Sequence, residues 1–64
     1  MWAKILLKNI LTDKDCADYI KNGWNALYND LIECAKNGTL ENLNEISGLA
    51  LDDYYYNKYE NAFL

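Results

Sequence analysis

The stretch DCADYIKNGWNALYNDLIECAKNG, residues 15–38, decides how this chain folds. Its apolar residues Cys16, Ile20, Trp24, Leu27, Leu31, Cys34 and Ala35 hold one phase. At about 100° per residue they fall within a stripe about 100° wide, the pattern of an amphipathic helix. The Asn22-Gly23 pair inside the stretch would ordinarily mark a turn. Yet the stripe crosses that pair without a jump in phase, and a glycine inside a helix costs only about 1 kcal/mol. The spacing therefore predicts one long helix over residues 13–37, bent at most at Gly23. The phase ends at Asn37-Gly38, so Gly38 reads as the C-terminal cap.

Working back from this stretch, residues 2–11 predict a first helix. Trp2, Leu6, Leu7 and Ile10 share one broad face, Lys4 and Lys8 lie opposite, and Ile5 falls on the lysine side. That apolar arc is wider than one neighbouring helix can cover. Thr12 reads as the cap of the next helix, with Asp13 and Asp15 suiting its positive end and Thr12-x-x-Asp15 approximating a capping box. Working forward, Thr39 caps a short helix over 40–47 with Leu40, Leu43 and Ile46 inward, and Gly48 ends it. Asp52 then reads as the N-cap of a last helix, 53–63, with Leu51 stapled onto Tyr56. No β-branched run or alternating segment speaks for strands. The expectation is an all-α fold: a single domain, residues 1–64, built as a small bundle of four helices.

The last of these helices poses a packing problem. Its sequence, DDYYYNKYENAFL over 52–64, sets four tyrosines in six positions. Tyr55, Tyr59, Ala62 and Phe63 share a face and are expected in the core, while Tyr54 and Tyr56 project about 100° to either side. At least one of those two is expected to stay exposed. Tyrosine offers a large stiff surface with a polar tip, which suits it to interfaces. With Asp52 and Asp53 beside them, Tyr54 and Tyr56 are candidate contacts for a lysine- or arginine-bearing partner. Glu41 and Glu45, spaced i, i+4, extend the same acidic half.

Charge follows the same division. Residues 1–29 carry four lysines against three aspartates, a balance of +1; residues 30–64 carry seven acids against two lysines, a balance of −5. An acidic half repels phosphate backbones, and a chain without arginine lacks the bidentate fork that reads bases and phosphates. Direct nucleic-acid binding is not expected, but basic surfaces of other proteins are. The N-terminal apolar run is broken by Lys8 and followed by no small-residue cleavage site, and no stretch reaches the length of a membrane span. A cytoplasmic protein with reduced Cys16 and Cys34 is expected.

The chemistry available is narrow. There is no histidine to activate a nucleophile, and two cysteines without histidine make no zinc site. Asp13, Asp15 and Asp18 lack the glycine and terminal glutamate of a calcium loop. No enzyme, no metal and no cofactor is expected, and no motif announces a function. The reading that remains is a small acidic protein-binding regulator or inhibitor, of the phage or plasmid type, that blocks a host nucleic-acid-binding or defence protein. An alternative is a structural subunit or assembly adaptor that docks its apolar first helix into a larger complex. A domain of this size hides only about 60% of its unfolded surface. The surplus apolar surface of Trp2, Ile5, Leu6 and Ile10 therefore predicts a homodimer joined through residues 2–11 and part of the long helix.

Overall fold

The computed structural model describes residues 1–62, with side chains through Glu60; Phe63, expected beside Tyr55 and Tyr59, lies outside the described residues. The chain forms an all-α bundle: α1 (Trp2–Thr12), α2 (Lys14–Gly23), α3 (Asn25–Asn37), a 3₁₀ turn (Leu40–Leu43) and α4 (Asn44–Ala62). The fold class is the one expected. Two of the boundaries are not.

The first difference lies at Trp24, where the predicted helix over 13–37 divides in two. Trp24 leaves helical geometry at φ −131° and ψ 49°. Its amide still donates to the Ile20 carbonyl at 2.7 Å and its carbonyl still accepts from Tyr28 at 2.8 Å. The Asn25 side-chain amide takes the Lys21 carbonyl at 3.3 Å. With one residue displaced, Cys16 and Ile20 on α2 and Leu27 and Leu31 on α3 are all still buried. A bend of one residue therefore leaves the apolar stripe in phase, and periodicity cannot detect it. Gly23 itself keeps a negative φ; among the described residues only Gly38 is left-handed, at φ 73°, where it caps α3 as expected.

The second difference is at Gly48, predicted to end a helix over 40–47. Only Leu40–Leu43 forms a separate turn, and α4 runs unbroken from Asn44 through Gly48 to Ala62. Gly48 is held against the Trp2 indole, whose ring atoms lie 3.4 Å from where a Cβ on Gly48 would stand. Close packing accounts for the glycine here, not a chain reversal. Asp52 is consequently no cap but an exposed residue inside α4, and Leu51 is buried and no longer a staple at a helix start. One cap also shifts by a residue: Asp13, not Thr12, caps α2, accepting from the amides of Asp15 at 3.0 Å and Cys16 at 3.5 Å. The Thr12 hydroxyl instead donates to the Lys8 carbonyl at the end of α1.

Helices α1 and α4 lie side by side and run parallel. At one end the Ala3 amide donates to Asn44 Oδ1 at 3.1 Å; at the other Asn9 Nδ2 donates to the Tyr55 hydroxyl at 3.0 Å. Both turn their buried stripes, Ala3, Leu6 and Ile10 on α1 and Ser47, Ala50, Leu51 and Tyr54 on α4, into the core with α2 and α3. Burying aliphatic side chains of this size contributes about 1.5–3 kcal/mol each. Ser47 is the one blemish among the described residues: its Oγ is buried with no hydrogen-bond partner.

Candidate protein-binding face

Because α4 is continuous, its solvent side is a single stripe. Glu45, Leu49, Asp52, Tyr56, Tyr59 and Glu60 recur at helical spacing on the face opposite the core, and all are exposed. Leu49 is 61% exposed and Tyr56 71%, values that a core-building role does not explain. Acidic and apolar groups thus alternate along the helix. At its N-terminal end the stripe meets α1, where Trp2, Glu45, Gly48, Leu49 and Asp52 line a groove of about 260 Å³. The half-exposed Trp2 ring forms one wall, and Gly48 lets it approach the helix.

The tyrosines divide differently from the sequence expectation. Tyr54 is the core ring, 5% exposed, tilted against Tyr19 with centroids 5.5 Å apart, its hydroxyl donating to Asp13 at 3.3 Å. Burial first, and then the neighbouring Asp13 charge, push the Tyr54 hydroxyl up to about 12. Tyr55 and Tyr59, expected inside, stand at the surface and stack on each other at 6.3 Å. Tyr54 is therefore no surface contact, whereas Tyr56 keeps the exposure the candidate role needs. Ile46, expected inward, is also exposed.

The acids divide too. Asp52 and Glu45 share the groove with Trp2. Asp53 faces the bend instead: one of its oxygens accepts from the Trp24 indole N–H at 3.0 Å and from the Tyr19 hydroxyl at 2.8 Å. Those two bonds, Trp24 first, hold its carboxyl below the usual aspartate range. Asp53 is thus a structural anchor between α4 and the α2–α3 junction. Glu41 sits in the 3₁₀ turn and lines a separate hollow with Lys4 and Leu40, so it does not pair with Glu45 along one helix as its spacing implied. Of the residues proposed for self-association, Leu6 and Ile10 lie in the core, while Trp2 and Ile5 are exposed.

Leu49 and Tyr59 were missed. Reading Glu45, Leu49, Asp52, Tyr56 and Tyr59 as one i, i+4, i+7, i+11, i+14 series would have found them, but the break expected at Gly48 cut that series in two. A second exposed apolar area lies on the outer side of α1, where Ile5, Leu7 and Leu11 surround Lys4 and Lys8 over a hollow of about 500 Å³. Among the described residues no helix is long and apolar enough to cross a membrane, and no group of His, Cys, Asp and Glu could hold a metal ion. No known protein family, curated protein or solved structure matches this chain.

Proposed function

We propose that this chain is a small acidic, non-enzymatic protein-binding regulator or inhibitor that works through the outer face of α4. The observation that carries this reading is the stripe itself. Leu49 and Tyr56 are left in solvent between Glu45 and Asp52, beside the open Trp2 groove. Aromatic and aliphatic groups set in a shallow groove supply affinity when a partner covers them. Flanking carboxylates supply the sign and speed of encounter rather than bulk affinity. A partner fitted to this face carries lysine or arginine around an apolar anchor. Surfaces that bind nucleic acid are rich in those cations. A host nucleic-acid-binding or defence protein is therefore the target class, as suits a phage- or plasmid-type inhibitor acting in the host cytosol.

A second reading, an assembly adaptor, is favoured by the outer side of α1, whose Ile5 and Leu11 are exposed. The two readings use different faces, so one experiment separates them. Affinity capture from the native host is run in parallel with the wild-type chain, Asp52→Lys with Tyr56→Ala, and Leu11→Asp. The inhibitor reading expects a protein with a basic surface that is retained by Leu11→Asp and lost by the α4 variant. A protein lost only by Leu11→Asp supports the adaptor and overturns the inhibitor.

A further inference from the structure

We infer that the groove between Trp2 and α4 seats one arginine side chain of the partner protein, its guanidinium stacked on the Trp2 indole between Glu45 and Asp52. The inference rests on the α4 reading for the kind of partner, and adds Trp2, a residue of another helix, to the binding face. The groove is lined by Trp2, Glu45, Gly48, Leu49 and Asp52. It thus joins an aromatic wall, two carboxylates and an apolar floor, and no lysine lines it to neutralise the acids. Glu45 and Asp52 stand seven residues apart on α4, two turns or about 10.5 Å along the axis, so they flank the floor from either end. The indole itself is free to take a ligand. Its Cγ and Cδ1 lie 3.4 Å from where a Cβ on Gly48 would stand, while the residue remains 55% exposed. The other indole of the chain is already engaged, Trp24 donating to Asp53. Trp2 makes no such bond among the described residues, although two carboxylates share its groove.

This set of groups selects among cations. An indole face attracts a cation that lies over it within about 6 Å. A guanidinium is planar and weakly hydrated, so it can lie against the ring and direct its fork of N–H donors at a carboxylate. An ammonium is compact and strongly hydrated and has no fork, and a shallow groove repays little of the hydration it gives up. The aliphatic stem of the arginine runs over Gly48 and against the exposed Leu49, where a side chain at position 48 would stand in its way. Arginine also decides where the occupant comes from. All six basic residues of this chain are lysine, so a second copy cannot supply the guanidinium and a foreign protein must.

The test is an NMR titration of the isotope-labelled full chain with two capped tripeptides, Gly-Arg-Gly and Gly-Lys-Gly. The arginine peptide should move the Trp2 indole N–H signal and the Gly48 and Leu49 amide signals together along one saturating curve. The lysine peptide should bind roughly threefold or more weaker. Trp2→Leu, which keeps an apolar side chain beside Gly48, should bring the two peptides to a common weak affinity. Glu45→Gln with Asp52→Asn changes two exposed positions outside the core and should abolish the shifts in a chain of unchanged fold. Absence of a saturable shift at Trp2 with the arginine peptide overturns the inference. So do equal affinities for the two peptides, which would make the groove a patch of negative charge, and shifts that persist unchanged in either variant. A captured protein that is lost with Asp52→Lys and Tyr56→Ala but fully retained by Trp2→Leu also overturns it, and leaves the α4 reading standing. Failure of the α4 reading is a different result: no captured protein is then lost by that α4 variant, whatever the peptides do.

Discussion

Gly23 and Gly48 each sit in a stretch that reads as a break, and the chain treats them oppositely. Beside Gly23 the helix bends, although nothing crowds the glycine: beyond its chain neighbours and its own helix backbone, no atom lies within 4 Å of where its Cβ would be. At Gly48 the helix continues unbroken, although the Trp2 indole lies 3.4 Å from where its Cβ would stand. Glycine flexibility explains neither outcome. At the first site the bend is held by Trp24, whose indole reaches across to Asp53 while α2 and α3 both keep their apolar residues inside. At the second, continuity is held by the α1–α4 contact, which Gly48 permits by having no side chain. Tertiary packing decides both junctions, and the roughly 1 kcal/mol of intrinsic propensity at stake in each glycine is small beside it.

The largest expected effect follows from the phase that continuity at Gly48 imposes on α4. Tyr54→Ala should cost about 3–5 kcal/mol in denaturant unfolding, in line with the removal of large buried aromatics. Tyr56→Ala should stay within about 0.5 kcal/mol. If α4 instead started afresh after Gly48, Tyr55→Ala would be the costly change. The same buried ring gives a pH signature. The Tyr54 hydroxyl rises from the ordinary tyrosine value of about 10 to about 12 on folding. Folding therefore favours its neutral form. The contribution is whole below pH about 10 and is lost as pH climbs through 12, because the unfolded chain gives up that proton first. Tyr54→Phe should remove this part of the alkaline loss.

A smaller contrast separates the glycines directly. Gly23→Ala should stabilise by up to about 1 kcal/mol, since its φ is negative and space is open. Gly48→Ala should gain less, because its new methyl would stand 3.4 Å from the Trp2 ring, at the near edge of van der Waals contact, instead of in open space. Equal gains at both sites would mean that Trp2 does not hold α4. The comparison is by thermal unfolding of the two variants against the wild type.

The smallest effect is expected at the bend. The Asp53 carboxyl lies below its ordinary value, so the stability it contributes is present above that value and is lost as pH falls through the lowered one. Asp53 is exposed, and solvent screens the contribution. The clearer readout is Trp24 fluorescence in a Trp2→Phe background. Acidification, or Asp53→Asn at neutral pH, should alter it, and a spectrum indifferent to both would detach Trp24 from α4.

These contrasts also show what could be read in advance. The inward stripe of Cys16, Ile20, Leu27 and Leu31, the bounds of α1 and the cap at Gly38 follow from local pattern, because each depends on neighbours within a turn or two. The rest depends on contacts distant in sequence. Helix α4 carries apolar groups on both sides, with Ala50, Leu51 and Tyr54 within and Ile46, Leu49 and Tyr56 outside, so its period gives no phase. Only the docking of α4 against α1 and α2, which sets Tyr54 on Tyr19, chooses Tyr54 over Tyr55 as the core ring. The candidate face was half legible for the same reason. Asp52 and Tyr56 were visible as an acidic, aromatic pair, whereas Leu49 and the Trp2 groove need α4 to be continuous. Leu6 and Ile10 looked like interface because the sequence does not show how much of α1 its own α4 covers.

The account rests on that continuity, since without it Glu45, Leu49, Asp52 and Tyr56 are not one face. The direct measurement is the set of backbone Cα chemical shifts and amide exchange rates in solution from Asn22 to Ala26 and from Ser47 to Asp53. The account predicts helical shifts and slow exchange without interruption across Gly48, and a single departure from helical shifts at Trp24. Helical shifts through Trp24 with a loss of helix and protection at Gly48 would contradict it, and would dissolve the α4 face along with it.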